Sequence, residues 1–188
     1  MAIKIYIDQG HNPQNPNAGA EGNGLREQDI TYRVGTILAD LLRRSGNYDV
    51  KLSRNTPSEV LGYSNTSSLR ARTDEANSWG ADYFISIHTN ASDNSNASGV
   101  EVYAYSASGE GYSLAEDIVD NLAASTGLQN RGVKLRPSLY VLRKTNMPAV
   151  LAEIGFITNP RDAALMSGSP ELFARGIYNG IVEFTGLS

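Results

Sequence analysis

Two runs, Tyr83-Phe84-Ile85-Ser86-Ile87 and Ala149-Val150-Leu151-Ala152-Glu153-Ile154, constrain the fold of this 188-residue chain more than any other feature. Both are mostly apolar on successive residues rather than alternate ones, the pattern of strands covered on both faces. Strands of that kind belong to largely parallel sheets with helices packed on each side. The rest of the chain agrees. Apolar, β-branched runs at 3–7, 49–53, 82–88, 100–105, 139–143 and 149–154 read as strands. Amphipathic stretches at 28–45, 69–79, 113–125 and 170–184 read as helices. The last has Ser169 as N-cap, Pro170 at the first helical position and Leu172, Phe173, Ile177, Ile181 and Phe184 at helical spacing. Ser45-Gly46-Asn47 offers the first helix a left-handed stop. The expectation is an α/β fold: a single domain over 1–188, with a twisted, mostly parallel sheet of about six strands flanked by helices on both faces. No internal repeat or linker interrupts it.

Three segments, 9–26, 53–68 and 89–98, are long and rich in Gly, Asn, Ser and Pro. Loops of that length inside a compact domain are commonly functional. The chain has two histidines, and each stands where a strand gives way to such a loop: His11 after 3–7 and His88 closing 82–88. Glu153 lies late in 149–154. In open parallel sheets ligands bind beyond the carboxyl ends of the strands, so three parallel strands would present these side chains at one edge. Two imidazoles and one carboxylate are the ligand set of a catalytic zinc, and a chain with no cysteine has no thiolate alternative. Glu153 could supply the carboxylate, but nothing obvious would then remain to take a proton. Glu27, at the threshold of the first helix, is the better candidate, with Glu21 and Asp29 as rivals. Each residue also has a plain structural reading. A strand-end His is often simply hydrogen-bonded, and an acid in a first helical turn is often a dipole partner. A Glu inside an apolar strand needs either an Arg partner or a role in proton transfer.

A net charge of -4 and a pI near 5.2 speak against nucleic acid, which requires a basic face. The short basic clusters (Arg43-Arg44, Arg70 with Arg72, Arg131 to Arg136, Arg143-Lys144) read as solvated faces. Absence of cysteine excludes disulfides and a Cys nucleophile. No apolar run is long enough for a membrane span, so no membrane insertion is expected. The N-terminus lacks the layout of a signal peptide and enters a strand directly, which suits either a domain trimmed of its leader or release by another route.

In order, IYIDQGH, LREQDI, ADYFISIHTNAS, NRGVK with LYVLR, and PAVLAEIGFITN resemble the zinc-dependent N-acetylmuramoyl-L-alanine amidases of the amidase-3 type, which are bacterial peptidoglycan hydrolases. The resemblance spans nearly the whole chain. It implies Zn2+ held by His11, Glu27 and His88, with Glu153 as the catalytic carboxylate. It also implies peptidoglycan as partner, hydrolysis of the amide between N-acetylmuramic acid and L-alanine, and an extracytoplasmic place of action at the bacterial cell wall. Asn90 and Arg131 are candidate substrate contacts: Asn90 as an oxyanion donor, Arg131 as a guanidinium matched to a stem-peptide carboxylate. Either could instead be structural, Arg131 by pairing with a local acid. The family usually reads DPGHGG around the first His; here DQGHNP predicts a differently shaped loop. The acidic surface would not be drawn to anionic walls, so a monomeric domain is expected, with targeting by a separate wall-binding module or by the cleft itself. Another zinc peptidase acting on the stem peptide and a non-catalytic wall-binding module are the alternative readings.

Overall fold

The alternation legible in the sequence holds along most of the chain, and the computed structural model describes residues 2–187. First come β1 (Ile3–Gln9), β2 (Glu21–Gly22), β3 (Leu25–Arg26), α1 (Glu27–Ser45), β4 (Tyr48–Leu52), α2 (Asn65–Trp79) and β5 (Tyr83–Asn90). They are followed by β6 (Val100–Ala104), α3 (Glu110–Thr126), β7 (Asn130–Leu135), α4 (Tyr140–Lys144), β8 (Ala149–Phe156), α5 (Pro160–Gly168) and α6 (Pro170–Thr185). Six strands form one sheet in the order β4-β1-β5-β8-β6-β7. All neighbouring pairs are parallel except β6 with β8. Among the described residues, no helix is long and apolar enough to cross a membrane.

The two-residue period of a strand sorts the side chains onto two faces. Ile5, Ile7, Ile85, Ile87, Val102, Val150 and Ala152 face α1, α3 and α6 in the larger core. Tyr6, Phe84 and Leu151 face the other way, against Ala76 of α2 and Val141 and Leu142 of α4. Tyr6 and Phe84 stack with ring centroids 5.4 Å apart. Close packing of α6 on α3 depends on Gly180, where a Cβ would lie 2.6 Å from the Ile118 Cα. Toward the carboxyl ends of β1, β5 and β8 the second face turns polar. Continuing the same alternation, it carries Asp8, Ser86, His88 and Glu153.

Two expectations need correction. Of residues 139–143, Leu139 is the extended N-cap and 140–143 are helical, within α4, and the sixth strand is β7. A five-residue apolar run does not distinguish a short strand from a buried helical turn. β7 went unrecognised because it is an edge strand, carrying Arg131, Gly132 and Lys134 with its side chains half-exposed, as edge strands do. The helix α5 was also missed, although Asn159 caps it with its side chain and Pro160 opens it. Gly46 does terminate α1 in the left-handed conformation, at φ 77°. Ser169 stands at the start of α6 but makes no side-chain cap.

Candidate active site

His11 leaves β1 one residue past Gly10 with a left-handed backbone, φ 69°. A non-glycine residue there is uncommon and marks a position the surroundings impose. The imposing group is Arg72, which is 1% exposed. Its Nη2 donates to the His11 carbonyl (2.8 Å) and to Asn12 Oδ1 (3.2 Å). Its Nη1 donates to the Gln9 carbonyl (2.7 Å) and to Asp8 Oδ1 (2.6 Å). Burial alone would raise the Asp8 carboxyl, but the charge of Arg72, with smaller help from His88 and the Ser86 hydroxyl, holds it below the usual carboxylate range. Arg72 is therefore a structural anchor of the loop, not part of a solvated basic face; Arg70, exposed and paired with Asp74, does fit that expectation. Two signals pointed to it. Ser68, Arg72 and Ala76 recur every four residues on the buried side of α2, and Asp8 in an apolar strand needed a cation.

The departure from DPGHGG has a local account. Gln9 donates its backbone N–H to Ser53 Oγ (2.9 Å), which a proline could not do. Asn12 is fully buried and knits the loop through Pro16 O, Leu61 O and Leu61 N–H.

Glu27 is the first residue of α1 and is 3% exposed. The small β2–β3 hairpin precedes it, and its own N–H is tied to Ala20 O. Oε2 lies 3.2 Å from His11 Nε2 and Oε1 lies 3.1 Å from His88 Nδ1. Two backbone donors orient the carboxylate: Ala20 N–H to Oε2 (2.8 Å) and Thr89 N–H to Oε1 (2.9 Å). Burial raises the Glu27 carboxyl, but hydrogen bonds from both imidazoles outweigh that and hold it well below the usual carboxylate range. The rivals are elsewhere. Asp29 pairs with Arg26 at the surface, and Glu21 lies exposed on β2.

Potential ligand atoms of His11, Glu27 and His88 all lie within 4.8 Å of one another. The donor set suits a divalent metal, and a second observation agrees. His11 Nδ1 is 3.3 Å from the Asn17 carbonyl. That contact lies on the far side of the ring from Nε2, which faces Glu27 Oε2 at 3.2 Å. Space around these side chains is tight. A Cβ at Gly10 would fall 2.6 Å from the His88 ring, and one at Gly19 would fall 2.8 Å from Glu27 and 2.9 Å from His11 Cδ2.

Glu153 is the cross-strand neighbour of His88. It has no Arg partner among the described residues, and its Oε2 is buried without a hydrogen bond. Burial first, then the negative charges of Glu27 and Glu101, push its pKa up to about 8. Asn90 and Arg131 are brought together one strand further on. Asn90 spends both ends of its side chain internally, on Glu101 and on the Ala91 N–H. Arg131 pairs with Glu101 through Nε at 2.9 Å.

The family model described as N-acetylmuramoyl-L-alanine amidase matches residues 5–183. The chain belongs to this family. The N-acetylmuramoyl-L-alanine amidase CwlM of Bacillus licheniformis is 38% identical over 190 residues, covering 99% of this chain and 70% of that protein. LytC of Bacillus subtilis, also an N-acetylmuramoyl-L-alanine amidase, is 37% identical over 96% of this chain, which spans 35% of its length. An N-acetylmuramoyl-L-alanine amidase from Clostridium difficile has the same fold, with a TM-score of 0.86 at 28% identity over 98% of this chain and 97% of its own. CwlD of Clostridioides difficile, solved in complex with the GerS lipoprotein, gives a TM-score of 0.89 at 27% identity, over 99% of this chain and 100% of its own. The fold is that of amidase catalytic domains, and the chain is an enzyme of the amidase family acting on bacterial cell walls.

Proposed function

We propose that this amidase is zinc-dependent. It hydrolyses the amide between the lactyl group of N-acetylmuramic acid and L-alanine of the peptidoglycan stem peptide, at the cell wall outside the cytoplasm. It works as a monomeric domain, 1–188, with wall targeting supplied by a separate module. One observation carries the reading: His11, Glu27 and His88 converge from three distant parts of the chain beside an unpaired Glu153.

His11 Nε2, His88 Nδ1 and the Glu27 carboxylate would hold the ion. When bound, zinc polarises a carbonyl and lowers the pKa of a coordinated water from 15.7 toward about 7. The remaining work falls to the chain. Arg72 fixes the His11 loop, and the Ala20 and Thr89 amides fix Glu27. Glu153, with a free oxygen and a pKa near neutrality, accepts the proton of the attacking water and returns it to the leaving amine. Neutralising the Glu27 charge with a cation removes one of the contributions that raise Glu153, which favours its ionised, basic form.

Zinc content should be close to one ion per chain, and purified walls should release peptides that begin with an intact L-alanine. Chelation should abolish release and added zinc should restore it. Release of single amino acids instead would mean a stem-peptide carboxypeptidase; wall binding without any release would mean a non-catalytic module.

A further inference from the structure

Past Glu153, the same sheet face continues over β6 and β7 and changes sign. Glu101, the cross-strand neighbour of Glu153, is 3% exposed and holds four donors. Asn90 Nδ2 (2.9 Å) and the Tyr103 hydroxyl (2.7 Å) donate to Oε1. Arg131 Nε (2.9 Å) and Lys134 Nζ donate to Oε2. Arg136 lies with its guanidinium 5.4 Å from the Tyr103 ring centroid, and Arg131 lies 5.0 Å from that of Phe156. Two cations thus pair with one carboxylate, and a third, Arg136, lies over the Tyr103 ring that bonds it, a local cluster of positive charge on a chain of net charge -4. One cation suffices to neutralise a buried acid. The surplus donors are held in place and half-exposed: Lys134 is 40% and Arg131 31% exposed in their side chains.

We propose that Arg131, Lys134 and Arg136, aligned by Glu101 and Tyr103, form an anion subsite for a free carboxylate of the stem peptide on the leaving side of the scissile amide. This rests on the amidase reading above. The distance fits. Neighbouring strands lie about 4.8 Å apart, so β7, two strands from β8, is roughly 10 Å away. An extended peptide advances about 3.3–3.6 Å per residue. A carboxylate two or three residues beyond the bond at Glu153 therefore arrives over β7, and the acidic residues of stem peptides carry one there. Phosphates of anionic wall polymers share the negative oxygen but are not in line with the scissile amide.

The test uses zinc-loaded enzyme and soluble muropeptides with a tripeptide stem, their carboxylates either free or amidated. Wild type should favour the free acid by about 10- to 100-fold in kcat/KM, the value of a hydrogen bond to a charged group. K134Q and R136Q should each collapse that ratio toward one, chiefly through KM. R136Q leaves every donor to Glu101 in place, so the test survives any folding defect of K134Q. Equal cleavage of both substrates by wild type would overturn the subsite and leave the amidase reading intact. So would variants that slow both substrates alike, or a defect confined to walls that retain phosphate polymers. No cleavage of either substrate by wild type would overturn the amidase reading, and the subsite with it.

Discussion

Replacing Arg72 with Met tests how the His11 loop is held. The substitution keeps much of the side-chain volume and removes the charge that faces Asp8, leaving a carboxylate that is 1% exposed without its cation. Removing one partner of a buried ion pair costs about 3–5 kcal/mol. For a domain of this size, about 2–4 °C of Tm per kcal/mol converts that to a fall of roughly 6–20 °C. The pH dependence supplies a sharper signature. In the wild type the Asp8 pKa is depressed, so its contribution to stability is present above the unfolded value of 3.8 and is lost as pH falls through the folded value. Without Arg72, burial dominates and Asp8 must take up a proton on folding, so R72M should recover stability relative to wild type as pH falls from 7 toward 4. Adding Asp8→Asn should recover stability at neutral pH. Urea unfolding of the two single variants and the double, at several pH values, gives the coupling energy directly. The argument fails if R72M costs less than about 1 kcal/mol, the value of a surface pair, or if its loss does not depend on pH. Zinc affinity should also drop, by about 10–100-fold, because the His11 carbonyl loses its donor.

Glu153→Gln should retain zinc but lose about 10²–10⁴-fold in kcat; metal analysis alongside turnover checks it, and near-normal turnover refutes the assignment. In chelator-treated protein Glu153 has a raised pKa, so its contribution is complete below the unfolded value of 4.5 and is lost as pH rises to about 8. E153Q should gain stability on wild type across that interval, by up to about 1.4 kcal/mol per pH unit, and a pH-independent difference would contradict it. Gly19→Ala should weaken zinc binding at least tenfold with the fold retained, because its Cβ would fall 2.8 Å from Glu27; calorimetric titration reads this. Gly180→Ala should cost about 1–3 kcal/mol in thermal or urea unfolding without altering zinc affinity, because it overpacks α6 against α3 far from the site.

Much of this protein was fixed by local pattern. Mostly apolar runs such as 83–87 demand cover on both faces, and Gly46 stops α1 because glycine tolerates φ 77° cheaply. Placing His11, His88 and Glu153 at strand ends needed only the order of apolar and polar residues. Tertiary structure decided what local pattern could not. Residues 139–143 are apolar enough for a strand or a helix; in the fold 140–143 are helical, with Val141 and Leu142 buried against Tyr6, Phe84 and Leu151. Glu27 and Asp29 look alike in sequence, but a hairpin and two backbone donors bury one between the imidazoles while the other pairs with Arg26 at the surface. Arg72 and Arg131 both belonged to short basic clusters in the sequence; the fold sends the first beneath the His11 loop and the second onto Glu101. The physical reason is common to all three. Periodicity reports which side of an element is dry, whereas the partner of a charge is set by elements tens of residues away.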